Sequence, residues 1–112
     1  MVDFDNFFKE KTVGGQILEI SQISREIDDL RKKFLENIRA YETDKKPIHL
    51  VQADENSGKL IDLLNIRLKK LYELKNKSKD PKEKKQFEDE ITWAVNNIRE
   101  VRSIRKKHGL GS

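Results

Sequence analysis

The chain contains no cysteine, which excludes a disulfide framework, a thiolate metal site and a cysteine nucleophile. Only two prolines and five glycines interrupt its 112 residues, so most of the length is free to form long regular elements. Aromatic residues make up just 7 %. No apolar run approaches the roughly 20 residues that span a bilayer, so no transmembrane segment is expected. The opening Met1-Val2-Asp3-Phe4-Asp5 is acidic and lacks the basic start of a secretory leader. Chemistry-bearing clusters are also missing. His49 and His108 are the only imidazoles, and neither has a second histidine or a carboxylate at helical ligand spacing. Glu88-Asp89-Glu90 is an acidic cluster near the start of the third helix, read as ordinary dipole complementation, and no Glu-x-x-His motif accompanies it. Gly14-Gly15 has neither the preceding strand nor the following Gly-Lys of a phosphate loop. The expectation is a non-enzymatic chain with no metal and no cofactor.

What is present is amphipathic helix. Apolar residues make up 35 % and charged residues 39 %, a balance suited to a bundle whose solvated faces outnumber its buried ones. Ile20, Ile23, Ile27, Leu30, Phe34, Ile38 and Tyr41 recur three and four apart, which lines one face of a helix; a strand would need period two. This first helix is expected from about Gln16 to Tyr41, with Gly14-Gly15 as a break or kink behind a short N-terminal piece. Asp28 with Lys32 and Asp29 with Lys33 keep its outer face soluble. The periodicity lapses from Glu42 to Ser57, and Asp44-Lys45-Lys46-Pro47 reads as a loop. A second helix is expected to start between Ala53 and Lys59, capped by Asp54 or Ser57, with Leu60, Ile61, Leu64, Leu68, Leu71 and Leu74 as its stripe and Leu63 and Ile66 widening it. After a loop over Asn76 to Pro81, Asp80 as N-cap, Pro81 at the first helical position and Glu83 in the capping-box place open a third helix. Phe87, Ile91, Ala94, Ile98 and Val101 form its stripe, and Gly109 is a natural stop. The fold class predicted is all-α: an antiparallel, up-down-up three-helix bundle over residues 16–108, preceded by a helical or extended segment over 1–15. Residues 109–112, Gly-Leu-Gly-Ser, read as an appended tail outside the fold.

Two stretches resemble the N-terminal regulatory domains of syntaxins. Asp5-Asn6-Phe7-Phe8, and then Ile20 to Phe34 with its acidic pair Asp28-Asp29 ahead of basic residues, look like the start and first helix of that family. Asn65-Ile66-Arg67-Leu68-Lys69-Lys70-Leu71 is similar to its second helix. The resemblance covers about half the chain. Gly14-Gly15 departs from it, and the third helix shows no matching pattern. It implies a three-helix regulatory domain of membrane trafficking that binds its own SNARE helix or a regulator of vesicle fusion. That placement would be cytoplasmic, with any membrane association made through a segment elsewhere.

The functional expectation is a helical protein-interaction domain whose partner is a protein helix, from the same or another chain. Phe4, Phe7 and Phe8 are candidate docking aromatics, or a staple over the core. Trp93 and Ile104 lie on one flank of the third helix, where a groove between helices would receive a partner. The net charge of +4 comes from well-mixed charges. It leaves open a second reading, in which Arg99, Arg102, Arg105 and Lys106 contact phosphates of nucleic acid or of a lipid surface. A third reading is a self-associating structural protein.

Overall fold

The computed structural model describes residues 14–111, with side-chain environments from residue 23 onward. Phe4, Phe7 and Phe8, and the expectation of a short helical or extended piece before residue 14, lie outside the described residues. Three helices follow one another: α1 Gly14–Asp44, α2 Pro47–Lys77 and α3 Pro81–Lys107. At 1.5 Å per residue each is about 40–46 Å long, which fits side-by-side packing in a molecule 51 × 25 × 22 Å across. The chain runs up, down and up, so this is the expected three-helix bundle, and no strand occurs among the described residues.

The interior is built from the predicted stripes. Ile27, Phe34, Leu60, Leu64 and Leu71 are enclosed almost completely, joined by Ile23 and Ile38 from α1 and by Phe87, Ile91, Ala94, Ile98 and Val101 from α3. One cluster holds members of all three helices, and a second gathers Leu71, Phe87 and Ile91 toward the α2–α3 connection. The three helices do not share this core equally. α2 packs closely against both neighbours, whereas no Cα of α1 comes within 8 Å of a Cα of α3 among the described residues. Longer side chains bridge that third seam. Arg31 reaches Glu100 at 3.7 Å, His108 lies 3.9 Å from Glu42, and the Tyr41 and His108 rings meet edge to face with centroids 6.1 Å apart.

The beginning of α2 corrects the sequence reading. It starts at Pro47, and residues 48–57 are helical rather than a lapse. Pro47 forbids helix at Lys46 but suits the first helical position, where its missing N–H costs nothing. Lys46 is the extended N-cap and offers no side-chain bond, so the cap comes from upstream: the Asp44 carboxylate accepts the Lys46 N–H at 2.9 Å. Lys45 takes a left-handed φ of 61° and donates its N–H to the Tyr41 carbonyl at 2.8 Å, which closes α1. Asp54 and Ser57, proposed as caps, stand inside the helix. The Ser57 hydroxyl donates to the Ala53 carbonyl at 2.6 Å, four residues back. Gly58 sits in mid-helix, where an added Cβ would meet nothing within 4 Å. His49, within the stretch where the periodicity lapses, lies in the first turn of α2 with Nε2 3.0 Å from Asp44 Oδ2.

Three smaller boundaries differ. α1 takes in Gly14-Gly15 as its first residues and runs on to Asp44, while the break expected ahead of it falls outside the described residues. Asn76 and Lys77 belong to α2, which leaves residues 78–80 as the connection. There Asp80 caps α3 as predicted, its side chain accepting the Lys82 N–H at 2.9 Å, while Glu83 accepts from the Ser78 hydroxyl at 3.0 Å. Gly109 and Leu110 pack with the fold. Gly109, at φ 67°, donates to the Lys106 carbonyl, and Leu110 donates to Arg105 at 2.8 Å. This pair of bonds is a Schellman closure of α3, and it turns the Leu110 side chain onto the main core cluster.

Candidate interaction surface

On α3 a second series runs beside the apolar stripe. Gln86, Glu90, Trp93, Asn97, Glu100 and Ile104 step four and three apart, so they share one flank of the helix. The Glu100–Arg31 contact places that flank against α1, in the wide seam. Trp93 and Ile104 are half-buried there and pack against the core cluster, as the sequence reading had them on a common flank. Asn97 is buried and donates to the Trp93 carbonyl at 2.8 Å.

A polar group joins α2 to this flank of α3. Arg67 projects from the buried face of α2 and is 8 % exposed. Its Nη2 donates to Glu90 Oε2 at 3.0 Å, and its guanidinium lies 5.2 Å from the centroid of the Trp93 ring. Cation–π attraction and a charge-assisted bond thus converge on one group. Burial holds the Glu90 carboxyl above its ordinary range; Arg67 opposes that rise without cancelling it, and Asp89 adds to it. Two further polar atoms in this region, Ser24 Oγ and Gln86 Oε1, are buried with no hydrogen-bond partner in the structure. Ser24 lies two turns before Arg31, and Gln86 two turns before Trp93, so helical spacing puts both on the flanks that border the seam. An apolar core of this size normally leaves few such groups.

The seam between α1 and α2 is also polar at its rim. Asn37 donates to Gln52 at 3.3 Å and accepts from Asn56 at 2.9 Å, on the wall of an open cleft of 330 Å³ that Lys33, Glu36 and Glu55 help to line. Its volume is open to solvent and its amides are satisfied by one another. No group of three or more metal-ligating side chains occurs among the described residues.

The four basic residues proposed for phosphate contact separate into two kinds. Arg99, Arg102 and Lys106 are exposed. Arg105 is instead committed to the fold. Its guanidinium pairs with the Asp54 carboxylate at 2.8 Å, donates to the Asp54 carbonyl at 3.0 Å and bonds the Ser57 hydroxyl. It clamps the end of α3 onto the early turns of α2 and is not available to a ligand in this arrangement.

Sequence reasoning gave Glu90 to the helix dipole, named Arg67 only within the syntaxin-like stretch and passed over Asn97. A signal for Arg67 existed. Leu50, Ala53, Ser57, Leu60, Leu64, Arg67, Leu71 and Leu74 alternate strictly by three and four, and following that alternation through its two polar members both extends α2 upstream and puts Arg67 inside. Compared with protein family models, with curated proteins and with solved structures, the chain has no match.

Proposed function

We propose that this chain is a non-catalytic helical interaction domain that receives a helix of a partner protein along the α1–α3 seam. The observation that carries the reading is the spacing of the three helices. α2 is packed on both sides, whereas α1 and α3 stand apart and are bridged by Arg31–Glu100, Glu42–His108 and the Tyr41–His108 ring contact, with Trp93 and Ile104 half-buried on the α3 flank that carries Glu100. A groove with apolar anchors and a few convergent polar groups suits an amphipathic helix. The syntaxin-like segments in α1 and α2 support a regulatory role in membrane fusion, with a SNARE-type helix as the occupant.

Trp93 is the only tryptophan, so its emission reports on the seam alone. Titration with a synthetic SNARE-type heptad-repeat peptide is expected to give saturable binding by calorimetry and a matching shift in Trp93 emission. Bridging Arg31→Cys and Glu100→Cys with a disulfide-containing bis-maleimide, which spans helices whose Cα atoms stand more than 8 Å apart, should abolish both, and reduction should restore them. Binding unaffected by the closed bridge, or no binding at all, overturns the proposal.

A further inference from the structure

The positive charge of this chain is unevenly placed once it is set on the fold. Residues 69–85, from the last turns of α2 through the connection into the first turn of α3, hold eight lysines against three acidic residues. All other positions together hold sixteen basic and seventeen acidic residues, so the whole surplus of +4 arises within this one hairpin. Lys75 pairs with Glu88 at 3.4 Å and Lys85 with Asp89 at 3.2 Å. Lys69, Lys77, Lys79, Lys82 and Lys84 are exposed and form no ion pair with any described residue.

We propose that this hairpin end docks onto an anionic lipid surface. Charge complementarity favours polyanions in general, and three features select a lipid headgroup plane from among them. First, the eight cations are all lysine, while each of the seven arginines lies elsewhere in the chain. Lysine acts as a point charge, whereas arginine supplies the bidentate fork used to read phosphates and bases in nucleic acid. Second, the lysines run from the last turns of α2 round the connection into the first turn of α3, at the end of a rod only 25 × 22 Å in section. That shape meets a plane, whereas a duplex groove takes a helix or ribbon laid along it. Third, one aromatic residue, Tyr72, stands 47 % exposed among the lysines. A lone tyrosine suits the headgroup level of a membrane, while single-stranded nucleic acid needs several stacking platforms. No described helix is long and apolar enough to cross a membrane, so the contact would be peripheral.

The experiment is co-sedimentation of the full chain with vesicles of phosphatidylcholine alone, or with about a third phosphatidylserine. Binding is expected only with phosphatidylserine and should weaken as salt rises. Each lysine near such a surface contributes about fivefold to partitioning, so the combined Lys77→Gln, Lys79→Gln, Lys82→Gln variant should bind at least about tenfold more weakly. These side chains are exposed, and an unchanged thermal melt will show that the variant is folded. Arg99→Gln with Arg102→Gln, at the opposite end of α3, should leave binding unchanged. Failure to bind anionic vesicles, or equal loss from both sets of substitutions, overturns the inference. So does tighter binding to a duplex or single-stranded oligonucleotide at the same salt. The readout is independent of Trp93 and of the helix-docking seam.

Discussion

Along α2, Leu60 and Leu64 are buried in a cluster drawn from all three helices, whereas the flank of α3 that borders α1 holds Glu90, Asn97 and Glu100 beside a half-buried Trp93 and Ile104. The two regions belong to one bundle and differ in what holds them. Close apolar contact leaves little alternative packing, because removing it opens a cavity that cannot collapse fully. A seam spanned by long polar side chains gives up less when it opens, since water can replace each bond. The contrast makes α2 the organiser of the fold and the α1–α3 seam the place where it yields.

The strongest way to break the comparison is truncation on α2. Leu64→Ala, at a side chain with no exposure, should cost about 3 kcal/mol in urea denaturation. Ile104→Ala in the wide seam should cost about 1 kcal/mol, because part of that side chain already meets solvent. Equal losses at the two sites would mean that the seam is packed as tightly as the core.

Arg67 sharpens the comparison through pH. The Glu90 carboxyl is raised in the folded state by burial, so its favourable contribution is complete below its ordinary value of 4.5 and is lost as pH climbs through the folded value. Arg67 offsets that loss by favouring the charged form. Arg67→Met removes the offset and pushes Glu90 higher still. The variant should therefore match the parent best in acid and fall behind toward neutral pH, by about 2 kcal/mol. That is less than a fully buried pair would show, because the Glu90 side chain is 30 % exposed. Chemical denaturation at pH 4 and pH 7 measures the difference; a deficit independent of pH would remove Glu90 from the account. Arg105→Ala should follow at about 1 kcal/mol, since it releases a clamp whose partner Asp54 is half exposed.

How far the sequence could be read is clearest at the two corners. Both helices that follow a connection begin with proline. At the second corner Asp80 immediately precedes Pro81 and caps the helix itself, so the local pattern names its own boundary. At the first, Lys46 holds the cap position and the capping carboxylate is Asp44, two residues further back across a left-handed Lys45. A search for an N-cap beside the apolar stripe therefore slides past Pro47 to Asp54 and Ser57. The same habit of reading only oily positions hid the seam. Ile27, Phe34, Leu64 and Ala94 announce the core by their apolar spacing, while Ser57, Arg67, Glu90 and Asn97 keep the identical spacing with polar side chains and look like surface. Which flank of α3 faces α1 is set by tertiary packing, and no local pattern encodes it.

The smallest effect belongs to the Asp44 corner, and it separates a cap from a core contact. Asp44 is held below the usual aspartate value of 3.8, first by the Lys46 N–H that it accepts and then by the bond to His49. The sign is opposite to that of Glu90. A lowered carboxyl stabilises the fold above its unfolded value and ceases to do so as pH falls through the folded value. Its effect is thus confined to strongly acid solution, where Glu90 makes its own contribution in full. Titrating the side-chain carboxyl resonance of Asp44 by NMR should show a midpoint below 3.8. His49→Ala should move it part of the way back, because the Lys46 N–H remains. A full return to 3.8 would make the imidazole, and not the backbone turn, the main support of this corner. The start of α2 would then depend on a side-chain pair that water can easily replace, as the seam does.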